Sequence, residues 1–249
     1  MFITFDGIEN ARELGGLTRP DGARIRAGLL LRTGMLEKAS EADIRRLTEM
    51  GLGHVIDFRD RQEAQSRPDR PVPGAAYHHL AALNDLSILF EKRPDDPTMT
   101  PAEVHRDFTR LYRFLAQSPE SHDAYEAFFR ILLESGGRPV LWHCTQGKDR
   151  TGVAAMLLLI ALGFAEEQAL QEYLLTNRFA EGQLAALQAR GMPEEKLAFM
   201  REILLVFYEN AAFYLGCLRL EYGSAKNFLE LALGVGPREL ETLESYYLE

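Results

Sequence analysis

Short apolar runs alternate with amphipathic stretches over the first two thirds of the chain, and amphipathic stretches alone fill the last third. His54-Val55-Ile56-Asp57-Phe58 and Pro139-Val140-Leu141-Trp142 read as short buried strands, Ala76 to Leu80 as another, and Ile25 to Leu31 as extended chain or strand. Ser40 followed three residues later by Asp43 predicts a capping box, opening a helix that stops at Gly51. Asn10 to Gly16 is a polar loop ending in glycine, and Pro68 to Gly74 is turn-rich. Val153 to Leu162 is apolar almost all round, which predicts a helix buried on most sides. Asp123 to Glu134 predicts a helix leading into Gly136-Gly137. Met200, Leu204, Phe207, Ala211, Tyr214 and Leu218 recur at three- and four-residue spacing and predict one long amphipathic helix, with further helices at Ser224 to Leu233 and Pro237 to Tyr247.

This order implies an α/β core with a helical C-terminal part. Residues 1–249 fit a single domain, and the stretch from Asp85 to Ser121 stands out within it. There Pro94, Pro97 and Pro101 punctuate a charged segment before a helical pattern through Phe108, Leu111 and Leu115. We expect an insertion that folds over a site as a helical lid.

A hydrophobic share of 46% with 26% charged residues is ordinary for a globular domain, so composition adds little to the pattern. Charge adds more: a net −9 argues against a broad nucleic-acid or anionic-membrane surface, while allowing a small basic pocket. Cys144 and Cys217 are the two cysteines, too few and too far apart for a disulfide framework, and Cys217 falls on an amphipathic helix as a packing residue. The N-terminal Met1 to Asp6 lacks the basic start and apolar core of a signal peptide. The longest apolar run, Val153 to Leu162, is shorter than the ~20 residues a bilayer span needs. A cytoplasmic protein without stable membrane insertion is the expectation. No cysteine or histidine cluster has metal-ligand spacing, since His78-His79 would diverge on a strand, and neither a metal nor another cofactor is expected.

The chemistry concentrates in His143-Cys144-Thr145-Gln146-Gly147-Lys148-Asp149-Arg150-Thr151-Gly152, a polar loop between the last strand and the apolar helix. Strand, tight loop and helix N-terminus together suit an oxyanion. A helix N-terminus and the nearby Lys148 and Arg150 favour the thiolate form of Cys144, which can attack phosphorus in line and form a cysteinyl-phosphate. Arg150 supplies a planar fork for two phosphate oxygens. Backbone N–H groups from Thr145 to Arg150 can converge on the same anion, and Gly147 permits a close approach. A buried structural thiol is the bland alternative for Cys144, and the Gly-Lys-Asp-Arg-Thr-Gly context weighs against it. The order Gly147-Lys148-Asp149 does not match a nucleotide-binding Walker loop.

The ten-residue segment resembles the phosphate-binding loop of cysteine-dependent phosphatases. Its Lys-Asp-Arg-Thr form is similar to a bacterial branch of tyrosine-specific, dual-specificity and lipid-active phosphatases. Asn10-Ala11-Arg12-Glu13-Leu14-Gly15-Gly16, Leu31-Arg32-Thr33-Gly34, Val55 to Arg59 through Glu63, and Tyr222-Gly223-Ser224 resemble other segments of that branch, so the likeness spans nearly the whole chain. It implies a protein tyrosine phosphatase-like fold, with a central, mostly parallel sheet flanked by helices.

By this resemblance Cys144 is the nucleophile and Arg150 the phosphate clamp. Thr145, Gln146, Gly147, Lys148 and Asp149 complete the phosphate-binding set, with Lys148 adding charge complementarity. Asp149 reads equally as proton donor or as an acceptor organising the loop. His143 reads as bonding the loop backbone or tuning the thiolate, and Thr151 as bonding the thiolate, assisting hydrolysis, or merely capping the helix. The leaving oxygen requires a proton, and Asp85, after the strand at Ala76 to Leu80, is the candidate acid on a movable loop, with Asp57 and Asp60 as alternatives. Asp57, Arg59 and Glu63 read more simply as a structural ion-pair and turn network. Asn10 and Arg12 read either as support for the loop or as a surface turn.

The implied activity is hydrolysis of phosphomonoesters carried by phosphorylated protein or phosphoinositide. The alternative is a catalytically weak module that recognises phosphorylated partners. A sulfur-transfer enzyme is disfavoured, because the arginine and the Lys-Asp pair suit a larger oxyanion.

Overall fold

The computed structural model describes residues 1–85 and 98–249. Among the described residues five strands form one sheet in the order β1 (Arg12–Glu13), β2 (Leu30–Thr33), β5 (Val140–His143), β3 (His54–Asp57), β4 (Ala76–His79); β1 is antiparallel to β2 and the other pairs are parallel. Register puts Thr33, His143, Asp57 and His79 in one row at the carboxyl edge of the four parallel strands. Ligand sites in open α/β sheets lie beyond that edge.

Alternation along the strands builds two cores, because successive side chains point to opposite faces. Leu31, Val55 and Leu141 pack with Ile44 and Leu47 of α1 (Glu41–Glu49). Leu30, Ile56, Val140 and Trp142 face the larger core, which includes side chains of α4 (Pro119–Glu134), α5 (Asp149–Ala161), α10 (Ala225–Leu233) and α11 (Pro237–Tyr247). Every residue of α5 is buried, as its unbroken apolar pattern predicted. The Ser40–Asp43 capping box forms as expected, and the Asp43 carboxylate also accepts from the N–H groups of Asp6 and Gly7, tying the N-terminal segment to α1. The short α2 (Arg61–Ser66) follows β3, while α6 (Glu166–Leu174) and α7 (Thr176–Ala189) follow α5.

Two expectations change. The long amphipathic helix is divided into α8 (Glu194–Leu204) and α9 (Tyr208–Tyr222), separated by an extended link. Asn177 causes the break: its amide donates to the carbonyl of Val206 (2.9 Å) and its oxygen accepts from the Val206 N–H (2.8 Å), replacing helical partners with a side chain from α7. The stretch 194–222 has the length and apolar composition of a membrane span, but it is two helices. The lid expectation also changes for α3 (Pro101–Gln117). Its Leu111, Tyr112, Leu115 and Ala116 are buried in the main core, and it packs along α9, so this helix is a wall of the body. Residues 86–97 of the expected insertion lie outside the described residues.

Candidate active site

The loop from Cys144 to Lys148 leaves β5 at the carboxyl edge and enters α5 at Asp149. Gly147 has φ +67°, and a Cβ there would sit 2.2 Å from the carbonyl oxygen of Thr33, so both backbone conformation and the approach of β2 require glycine. The loop carbonyls are tied back from outside. Asn10, itself at φ +51°, donates its side-chain amide to the carbonyls of Gln146 (3.0 Å) and Gly147 (3.1 Å). Arg32 Nη2 donates to the Gly147 carbonyl at 2.9 Å. In trans peptides the N–H lies opposite the C=O, so these ties leave the N–H groups of Gly147 and Lys148 on the far side, available to an anion.

Glu172 of α6 secures these ties. Its carboxylate pairs with Arg12 Nε at 2.7 Å and Arg32 Nη1 at 2.5 Å, and Arg12 donates to Asn10 Oδ1 at 2.8 Å. Burial pushes the Arg12 guanidinium down to about 10, aided by the charge of Arg32 and opposed by Glu172. Burial pushes the Glu172 carboxyl up, but Arg12 and Arg32 outweigh it and hold the group below the usual range. Arg12 thus supports the loop through Asn10, while Glu172 had no motif to announce it.

The loop floors a cavity of about 130 Å³ lined by Cys144, Thr145, Gln146, Lys148, Asp149, Arg150, Glu63, Phe108 and Leu111. Six of the expected site residues therefore meet there. Asp85 is exposed and is not among the lining residues. Arg150 is nearly fully buried and its fork is gripped by Glu63, Nη1 to Oε2 at 2.6 Å and Nη2 to Oε1 at 3.1 Å, while Thr145 Oγ1 donates to the same carboxylate. Burial raises the Glu63 carboxyl, but Arg150 and Thr145 overcome this and bring it down to about 2. This corrects the sequence reading, which placed Glu63 with Asp57 and Arg59. The capping of α2 by Asp60 turns Glu63 toward the loop instead, with its backbone N–H bonded to Asp60 Oδ1 at 2.7 Å.

Lys148 and Asp149 form a contact pair at the cavity wall. Lys148 Nζ lies 3.0 Å from Asp149 Oδ2 and 3.1 Å from Oδ1, and 3.9 Å from the centroid of the Phe108 ring. Tyr112 also donates to Asp149 Oδ1 at 2.9 Å. The first turn of α5 is held by Tyr125, which donates to the carbonyl of Arg150 (3.2 Å), and by Trp142, whose indole donates to that of Thr151 (3.1 Å). Thr151 Oγ1 is buried and has no hydrogen-bond partner among the described residues, so the thiolate contact expected of it is not formed in this structure.

Behind the loop, His143 Nδ1 lies 3.1 Å from the carbonyl of Cys144 and Nε2 lies 3.1 Å from Asp69 Oδ2, with Asp57 Oδ1 at 3.8 Å from Nδ1. Arg59 joins Asp57 (2.7 Å) to Asp69 (2.6 Å), and Tyr77 donates to Asp57 at 2.7 Å. Burial pulls the His143 imidazole down, but Asp57 and Asp69 outweigh burial and raise it. His143 thus bonds the loop backbone, one of the two roles expected of it, beside the Asp57–Arg59–Asp69 ion-pair cluster. Asp57, Asp69 and His143 also bring ligand-type atoms within 4.8 Å of one another, an arrangement spacing arguments missed because it joins three segments. Arg59 already neutralises that group.

The raised imidazole has a measurable consequence. Its charge contributes stability fully below the ordinary value near 6.5, and this is lost as pH climbs through the higher folded value. The melting-temperature gap between the wild type and His143→Asn is therefore expected to narrow as pH rises from about 6 to about 9. A gap constant across that range would contradict a charged His143.

A profile described as the tyrosine phosphatase family matches residues 3–249. A relative from Cupriavidus necator, provisionally named a tyrosine-protein phosphatase, is 34% identical over 99% of this chain and 88% of its own. The triple specificity protein phosphatase PtpB of Mycobacterium tuberculosis is 29% identical over 61% of this chain and 62% of its own. A tyrosine-protein phosphatase of Nostoc commune is 28% identical over 64% of this chain and 52% of its own.

Proposed function

Since the chain belongs to the tyrosine phosphatase family, we propose that it hydrolyses phosphomonoesters through a cysteinyl-phosphate, with phosphotyrosine as the principal substrate. The observation that carries this reading is the cavity whose lining includes Cys144 beside an Arg150 already fixed by Glu63. A fixed fork and tied-back loop need little reorganisation when phosphate arrives, and positioning with charge stabilisation supplies most of the rate in phosphoryl transfer.

In the proposed mechanism Arg150 and the loop N–H groups bind the phosphate oxygens. The Cys144 thiolate attacks phosphorus as the ester P–O bond breaks, and a proton passes to the leaving oxygen. Water then attacks the phosphorus, the S–P bond breaks, and the thiolate is restored. Asp149 is the better proton donor on position, because it lines the cavity and Asp85 does not. In the second step it takes a proton from the attacking water. The apolar wall of Phe108 and Leu111 favours an aryl leaving group, whereas Lys148 is already engaged by Asp149 and Phe108. The mycobacterial relative is named a triple specificity protein phosphatase, which supports a range wider than phosphotyrosine alone.

Purified protein is expected to hydrolyse p-nitrophenyl phosphate with a metal chelator present, and phosphotyrosyl peptides faster than phosphoinositides. No aryl-phosphate turnover would end the proposal, and faster phosphoinositide turnover would reverse the substrate order. Asp149→Asn is expected to lose ~10²-fold or more in kcat/KM on phenyl phosphate but far less on p-nitrophenyl phosphate, because the better leaving group needs less protonation. Asp85→Asn should leave both nearly unchanged. The reverse pattern would transfer the acid to Asp85.

A further inference from the structure

Asp149 is held by two tyrosines that no recognised motif contains. Tyr112, on α3, donates its hydroxyl to Asp149 Oδ1 at 2.9 Å, and the hydroxyl of Tyr173, on α6, lies 2.6 Å from that of Tyr112. The two rings meet edge to face, with centroids 6.2 Å apart at 88°. Tyr112 gives its one proton to Asp149, so between the two tyrosines it accepts and Tyr173 donates. Burial pushes both phenols well above their ordinary range, with the charge of Asp149 adding to the shift, so both stay neutral donors across the pH range in which a phosphatase is assayed.

Gly152 supplies an independent sign that this strut is built into the site. It sits inside α5 with ordinary helical backbone, where glycine weakens a helix relative to alanine. A Cβ there would lie 2.8 Å from Tyr173 Cδ2 and 3.3 Å from Arg32 Nη2. The glycine that closes the loop motif is therefore required by the ring of Tyr173 and not by its own conformation. Position 152 must stay small for the Tyr173 ring to reach Tyr112.

Resting on the assignment of Asp149 as the acid, we propose that Tyr112, seated by Tyr173, is a positioning residue of the reaction. Lys148 contacts both carboxylate oxygens at nearly equal distance, so the lysine does not distinguish them. Tyr112 does, by occupying Oδ1 and leaving Oδ2 to carry the proton. That proton passes from Oδ2 to the leaving oxygen as the P–O bond breaks. Oδ2 then receives the proton of the water that displaces the thiolate, while Tyr112 keeps its own.

The test compares Tyr112→Phe and Tyr173→Phe with Asp149→Asn on phenyl phosphate and p-nitrophenyl phosphate. Tyr112→Phe should lower kcat/KM on phenyl phosphate by roughly 10-fold, the scale of one lost hydrogen bond, and on p-nitrophenyl phosphate by less than about 3-fold. Tyr173→Phe leaves Tyr112 in place, so it should give the same selectivity at smaller size and keeps the test available if Tyr112→Phe fails to fold. Inhibition by inorganic phosphate should change by less than about 2-fold in both, because the anion cradle is untouched. In an Asp149→Asn background, Tyr112→Phe should add no further selectivity, since the two act through one group. Equal slowing of both substrates, or selectivity persisting in full without Asp149, would overturn the proposal. If Asp149→Asn is itself unselective, the acid assignment and the strut fall together. If Asp149→Asn is selective and both tyrosine variants are not, the strut alone is removed.

Discussion

Cys144→Ser is expected to abolish turnover, by roughly 10⁴-fold or more in kcat on p-nitrophenyl phosphate, while inorganic phosphate still binds within several-fold of wild type. A serine hydroxyl is not ionised at neutral pH, so the displacement loses its nucleophile. The anion site does not depend on that sulfur. Arg150 is held by Glu63, and the loop by Asn10 and Arg32 through its carbonyls. Binding should therefore survive the loss of chemistry. Steady-state turnover and phosphate binding by calorimetry on the same preparation separate the two. Residual turnover above about 1% of wild type would sink the nucleophile assignment. Loss of phosphate binding together with turnover would show instead that the thiolate organises the loop.

The largest effect on stability should come from Glu172. It is the shared partner of two buried arginines, with side-chain exposures of 2% for Glu172, 1% for Arg12 and 0% for Arg32. Removing one member of a buried pair leaves uncompensated charge, which costs about 3–5 kcal/mol. Here two guanidiniums lose their counter-charge at once and stand close enough to repel, as the shared lowering of Arg12 by burial and Arg32 indicates. Glu172→Gln keeps the volume and removes the charge, so it isolates electrostatics from cavity formation. We expect denaturant unfolding to shift by about 3 kcal/mol or more and the melting temperature to fall by roughly 6–20 °C. Arg32 and Arg12–Asn10 hold the loop carbonyls, so phosphate affinity should fall as well, in a protein still folded at low temperature. A stability change below about 1 kcal/mol would mean that water reaches the two arginines and screens them.

Legibility followed the distance over which each interaction is specified. Ser40 and Asp43 announce their capping box because both partners lie in one helical turn. Val153 to Leu162 announces its burial because apolar residues cover the whole circumference. The six-residue spacing from Cys144 to Arg150 announces the cradle because strand, loop and helix N-terminus follow one another without interruption. The amphipathic pattern through Met200 and Leu218 misled because it records which face is buried, and both α8 and α9 bury a face. The Asn177 side chain that divides them comes from another helix. Glu63 was visible but assigned to the wrong partner, since the Asp57–Arg59 pair lies nearer in sequence than Arg150 does.

By itself, the sequence determined the α/β class, the strand–loop–helix segment, and Cys144 and Arg150 as its two principal candidates. These rest on periodicity and on contiguous backbone geometry, which act over a few residues. Only the tertiary structure decided that Glu63 grips Arg150, that Glu172 neutralises Arg12 and Arg32, and that Asp149 stands in the cavity braced by Tyr112. Each of those choices pairs a buried charge with a partner from a distant segment. A buried charge must be compensated, but which group compensates it depends on how helices and strands pack.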